Sequence, residues 1–152
     1  MIAIAGTIVL ALCSAAGGWL DVAQRRLPNW LSLATAVAGL AFVYAQIGLA
    51  SVAWAAAHLF VALLAGMALF RLGWIGGGDA KFYAACAAWF PLKQALVLLL
   101  CVSLTGFLLV VVWFGYRQVA RAKARRAQGE FAMVPYGLAI AVGALAARVL
   151  LR

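Results

Sequence analysis

The stretch Gly76-Gly77-Gly78-Asp79-Ala80-Lys81-Phe82-Tyr83-Ala84-Ala85-Cys86-Ala87-Ala88-Trp89-Phe90-Pro91 decides how this chain is organised. It holds two of the chain's few charges, then an apolar run, then a proline. A helix needs about 20 apolar residues to cross a bilayer, and residues 82–92 fall short of that. If the segment is a short helix of its own, opening near Asp79 and ending before Pro91, the chain has six spans. If 82–116 is a single crossing, it has one fewer. The basic residues choose between them. With six spans, Arg25, Arg26, Arg71, Lys81, Arg117, Arg121, Lys123, Arg125 and Arg126 share one side, and Lys93, Arg148 and Arg152 the other. With one fewer, the basic loop moves opposite Arg25 and Arg26 and the asymmetry nearly vanishes. Cytoplasmic loops collect Lys and Arg, so six spans with both termini extracytoplasmic are expected.

Outward from this stretch the chain is apolar almost throughout. Of its 152 residues 69% are hydrophobic and 10% charged, with mean hydropathy +1.12. An ordinary soluble domain carries roughly 25% charged residues. A soluble enzyme, a disordered tail and a secreted disulfide scaffold are excluded together. The expectation is an all-α polytopic membrane protein, one integral-membrane domain over residues 1–152. Residues 1–20 carry no charge and form span one. They lack the basic n-region and small-residue cleavage pattern of a signal peptide, so the span is read as uncleaved. Residues 27–70 lack Lys, Arg, Asp and Glu and can hold two helices with a turn near Gly48 to Ser51. Residues 94–116 and 131–147 supply the remaining long spans.

The net charge of +9 would suggest nucleic acid in a soluble protein. Here it reports orientation, and no nucleic-acid partner is expected; the partner surface is the lipid bilayer. The basic segment 117–130 is a topology determinant or a contact for anionic lipid or an acidic partner. Cys13, Cys86 and Cys101 are isolated in apolar stretches, without the CxxC spacing of a zinc site, so no metal and no cofactor is expected.

The only acids are Asp21, Asp79 and Glu130. With six spans, Asp21 ends span one and Asp79 opens span four, both at the same membrane edge. An ionisable residue there is costly and marks a functional site by default. Two carboxylates at equal depth can converge into a dyad, in which repulsion holds a proton on one of them. The ionised partner then takes a proton from water while the other polarises a carbonyl. The alternative is two unrelated helix-end aspartates, Asp79 simply capping a helix N-terminus. Three glycines before Asp79 leave bare backbone beside which an extended substrate can lie. A flexible turn is the plainer reading. The Walker spacing is absent, so a phosphate loop does not fit.

The motif Gly76-Gly77-Gly78-Asp79-Ala80-Lys81 resembles the GxGD signature of intramembrane aspartic proteases, and its lysine resembles the type IV prepilin peptidase branch. Asp21-Val-Ala-Gln-Arg-Arg26-Leu27-Pro28-Asn29-Trp30 is similar to that family's first catalytic region, with Leu27 in place of isoleucine. Val134-Pro135-Tyr136-Gly137 and the apolar run after it resemble the last-helix pattern. The resemblance implies a membrane aspartic endopeptidase that removes the short basic leader from prepilins at the cytoplasmic face of the bacterial inner membrane. It implies Asp21 and Asp79 as the catalytic pair. Larger members carry an N-terminal methyltransferase region with paired CxxC motifs; this chain resembles the short, peptidase-only branch associated with Tad/Flp-type pili.

Supporting residues follow on the same terms. Pro28 starts span two, where its missing N–H costs nothing. Asn29 is expected to hydrogen-bond near Asp21 or be solvated. Lys81 can favour an ionised carboxylate, meet a substrate carboxylate or anchor the chain. Arg25 and Arg26 mark topology, and Arg26 can also hold the loop. Pro135, Tyr136 and Gly137 shape the start of span six near the site. His58 is expected to be structural. Two rivals stand beside the peptidase: a small transporter or proton channel using both aspartates as a relay, which predicts carboxylates spread across the membrane, and a non-catalytic assembly subunit, which predicts tolerance of Asp→Asn.

Overall fold

The computed structural model describes residues 1–24, 27–123 and 136–151. Arg25, Arg26, Glu130, Pro135 and Arg152, and most of the basic 117–130 segment, lie outside the described residues or their side chains. The described chain is all-helical: α1 (Ile2–Gln24), α2 (Asn29–Ile47), α3 (Leu49–Arg71), α4 (Gly77–Ala87), α5 (Ala95–Lys123) and α6 (Tyr136–Leu150), with a 3₁₀ turn at Leu92–Gln94 before α5. Four stretches are long and apolar enough to cross a membrane: Ile2–Gln24, Asn29–Ile47, Leu49–Arg71 and Leu92–Tyr116. The protein is therefore polytopic. At about 1.5 Å per residue, the 11 residues of α4 span about 16 Å, half a bilayer core.

Residues 82–116 do not form one continuous helix. The helical path breaks over Ala88–Gln94, where Pro91 has no N–H to continue the ladder. The joint between α2 and α3 is a single residue: Gly48 sits at φ +101°, and its N–H donates to the Tyr44 carbonyl. α3 ends in a Schellman motif: Gly73 takes φ +75° and its N–H donates to the Phe70 carbonyl, while the Trp74 N–H donates to that of Leu69. This reversal starts α4 at the end of the bundle where α3 stops.

α4 is the centre of the bundle. Phe82 and Ala84–Phe90 are all buried, and α2, α3 and α6 pack around the helix. Small residues permit the approach. Gly66 of α3 faces Ala80 so closely that a Cβ there would lie 2.9 Å from the alanine methyl, and Phe82 fills the space beside Gly17 of α1. α5 packs on α6 and the 3₁₀ turn.

A helix that stops in the middle of a bundle leaves carbonyls without partners. The backbone N–H groups of Ala88, Trp89 and Phe90 take up those of Ala84, Cys86 and Ala87, and side chains fix the segment that follows. His58 Nδ1 lies 2.9 Å from the Phe90 carbonyl oxygen, and Trp89 Nε1–H donates to the Thr35 carbonyl at 3.0 Å. The Trp89 ring stacks on Phe42 at 5.4 Å, and the Arg148 guanidinium lies over the other ring at 4.4 Å while donating to Gln46 Oε1 at 3.1 Å. His58 thus has the packed, structural place expected of it.

Candidate active site

The opposite end of the bundle gathers the acids. Asp21 stands in the last turn of α1 and Asp79 in the first turn of α4, both half-buried. The turn at Leu72–Gly76 and the Leu27–Pro28 segment bring these ends together: Gly78 faces Leu27, and a Cβ on it would lie 3.3 Å from the leucine Cβ. Pro28 caps α2 from outside, its carbonyl accepting from Leu31 N–H, so the helix begins at Asn29.

Each carboxylate has a distinct setting. Asp21 Oδ2 accepts a hydrogen bond from the Gly137 backbone N–H at 2.7 Å, in the first turn of α6. A helix N-terminus presents free N–H groups and a partial positive charge, and Asp21 takes one of these N–H groups as its donor. Gly137 must be glycine for it: a Cβ would lie 2.9–3.0 Å from Asp21 Oδ2, Cβ and Cγ. Asp79 occupies the third position of α4, where an acidic side chain reaches back to the N-cap residue. Burial and the charge of Asp21 push its carboxyl up to about 6, while a backbone hydrogen bond at Gly76 pulls the other way. At Asp79 the bond back to Gly76 and the nearness of Asp21 act together. The two settings therefore differ: Asp21 bonds a helix N-terminal N–H, and its neighbour is biased towards holding a proton.

The bare backbone lies where the motif suggested. Gly76 is exposed, and a Cβ on it would lie 2.7 Å from Asp79 Oδ2. Gly77 packs beside the Phe70 ring. Lys81 is exposed, and its Nζ donates to Asn29 Oδ1 at 3.0 Å. The partner of Asn29 is thus Lys81, at the start of α4 two residues from Asp79. Tyr136 is exposed beside Gly106 of α5. The donor to Asp21 was missed by sequence reasoning, because a backbone N–H carries no residue signature; the Pro-Tyr-Gly motif was its only trace. Among the described residues no group of three or more His, Cys, Asp and Glu could hold a metal ion.

No curated protein and no solved structure matches the chain. The family model of the type IV leader peptidases matches residues 8–111, more than half of the chain, from α1 into α5 and across both aspartates. With two carboxylates brought to one end of a polytopic bundle, and that match running through both, the chain belongs to the type IV leader peptidase family, the aspartic enzymes that cleave leader peptides from prepilins.

Proposed function

We propose that Asp21 and Asp79 are the catalytic pair of this prepilin peptidase, with Asp21 as the ionised base and Asp79 as the proton-bearing acid. Asp21 takes a proton from the attacking water. Asp79 donates a hydrogen bond to the carbonyl oxygen of the scissile bond and stabilises the charge that develops there. The observation that carries this division is the asymmetry of the two settings: a helix N-terminal N–H on Asp21, and a raised proton affinity at Asp79 caused by burial and by Asp21 itself. Gly76, Gly77 and Gly78 leave an edge against which the substrate's extended segment lies. Lys81, held by Asn29, braces α2 against α4, Pro28, Tyr136 and Gly137 frame the pair, and the sequence resemblance assigns Arg26 and Pro135 to the same motifs.

In this reading residues 1–152 act as one peptidase unit whose chain crosses the membrane six times, with both termini outside. The distribution of Arg and Lys along the sequence supports it, since six crossings assign most of them to the side of the aspartates. Asp21 and Asp79 then sit at the cytoplasmic edge, ahead of the apolar Phe82–Phe90 segment that lies in the membrane. The substrates are small pilin precursors of the Tad/Flp type, as the sequence resemblance implies. The test is processing of a co-expressed prepilin, read as a gel shift, by wild type, Asp21→Asn and Asp79→Asn. Each variant is expected to lose about 10²- to 10⁴-fold in rate while remaining in the membrane. Processing that survives either change at wild-type rate overturns the pair.

A further inference from the structure

The end of the bundle away from the aspartates carries a cavity of about 470 Å³, within the roughly 300–1,000 Å³ of small-molecule sites. Ile47 closes it where α2 ends, Ser51 and Trp54 of α3 form a second wall, and residues 91–94 form the third. Three membrane-spanning stretches start or stop here: Asn29–Ile47 ends, and Leu49–Arg71 and Leu92–Tyr116 begin. The cavity therefore lies at the level where hydrocarbon gives way to head groups, a level that favours an exposed tryptophan such as Trp54. Ser51, Trp54, Lys93 and Gln94 bring a hydroxyl, an indole N–H, an ammonium and an amide to it, and all four can donate to an anion. None of these side chains makes a hydrogen bond or ion pair with another described residue. Asp21 and Asp79 stand at the far end, and Arg148, the other charged side chain described at this end, is also a cation. The end of α2 and the start of α3 meet at Gly48, so their opposed dipoles offset and Lys93 supplies the field.

We propose that this cavity holds the phosphate of an anionic phospholipid in the leaflet away from the aspartates. Lys93 meets the phosphate as its counter-charge, and Ser51, Trp54 and Gln94 donate to its oxygens. Two features select the lipid. A free phosphate ion has the same head-group chemistry, but only a lipid also uses the apolar surface that continues from the cavity. One turn on from Lys93, α5 presents exposed Leu96, Leu99 and Leu100, along which the acyl chains of the same molecule lie. A head group with its own ammonium finds no described carboxylate at this end, so phosphatidylglycerol fits where an ethanolamine head group does not. The walls come from α3 and from the break after α4, so a bound head group ties α3 to the start of α5.

The experiment places a photo-crosslinking residue at Ile47, exposed on the cavity, and at Ile2, exposed at the same end of the bundle but outside the cavity. The full chain is set in bilayers of phosphatidylcholine with a minor share of phosphatidylglycerol, and lipid adducts are identified by mass. One lysine beside anionic lipid is worth about fivefold in affinity. The phosphatidylglycerol share of the adducts should therefore be about fivefold higher at Ile47 than at Ile2. Lys93→Gln should bring the two positions within about twofold, and Lys93→Arg, which keeps the charge, should keep the excess. Equal shares in the wild type, no lipid adduct at Ile47, an excess that survives Lys93→Gln, or an excess lost in both variants overturns the proposal. Inorganic phosphate supplies the other arm. If it raises the Tm of wild type but not of Lys93→Gln while the adducts show no excess, the cavity takes the free ion and the lipid is overturned.

Discussion

The two ends of α4 differ in kind. Just past its last turn Trp89, Phe90, His58, Thr35, Phe42 and Arg148 pair or stack with one another between this segment and α2, α3 and α6, and Trp89, Phe90, His58 and Thr35 are almost wholly buried. At its first turn Asp79 is held half-buried near a second carboxylate, beside exposed glycine backbone and with its proton affinity raised. The first end has a partner for each polar group named; the second keeps a repulsion unrelieved. A short helix can carry such a site only because its other end is firmly anchored, since stability spent on an electrostatic conflict must come from packing elsewhere.

This contrast separates variants that unfold the protein from variants that silence it. The largest effect is expected at the anchored end. Trp89→Ala removes the stack on Phe42 and the bond to Thr35 and should cost about 3–5 kcal/mol, measured by denaturant titration in detergent. Enzyme that remains folded should keep its activity per molecule; a selective loss of catalysis would erase the distinction between the ends.

At the site end, Gly137→Ala should do the reverse. The new methyl meets Asp21, displaces it from the α6 N-terminus and lowers kcat by up to about 100-fold with little change in stability. Unaltered cleavage would show that the contact does not position the carboxylate. Asp79 supplies a pH signature of intermediate size. Its folded-state value of about 6 exceeds the ordinary 3.8, so its contribution to stability is full below about 4 and is lost as pH rises through 6. Wild type should therefore lose stability relative to Asp79→Asn across that window, and kcat/KM should decline as the pH rises past the same value. A stability difference flat from pH 4 to 8 would remove the raised affinity. The smallest effect is expected for Lys81→Met, which loses one exposed hydrogen bond to Asn29 and should shift stability by about 1 kcal/mol or less.

Sequence made the architecture and the acids legible and left their partners hidden. Pro91 and the two charges near Gly78 announced the short helix, and the charge-free runs announced the long ones. The aspartates stood out because only three acids exist in the chain. Their settings did not, since the donor to Asp21 is a backbone N–H 116 residues away in sequence. Nor does the sequence pair Asn29 with Lys81, 52 residues away, since helix packing alone brings them together. Of the anchored end only the structural place of His58 was legible: its partner Phe90, and the bond from Trp89 to Thr35, emerge only from the fold.

The length of α4 bears on how the protein is made. Eleven residues of helix with Asp79 and Lys81 in the first turns have no hydrophobic reach to partition alone from the translocation channel into lipid. In the six-crossing arrangement α3 goes in first, and the tight reversal at Gly73 delivers α4 against its flank, where Gly66 receives Ala80. Thr35 stands on α2 and His58 on α3, both already synthesised when Trp89 and Phe90 emerge. Biogenesis therefore has an order written into the fold: the sheath is laid down before the piece it encloses, and α6 closes the bundle last.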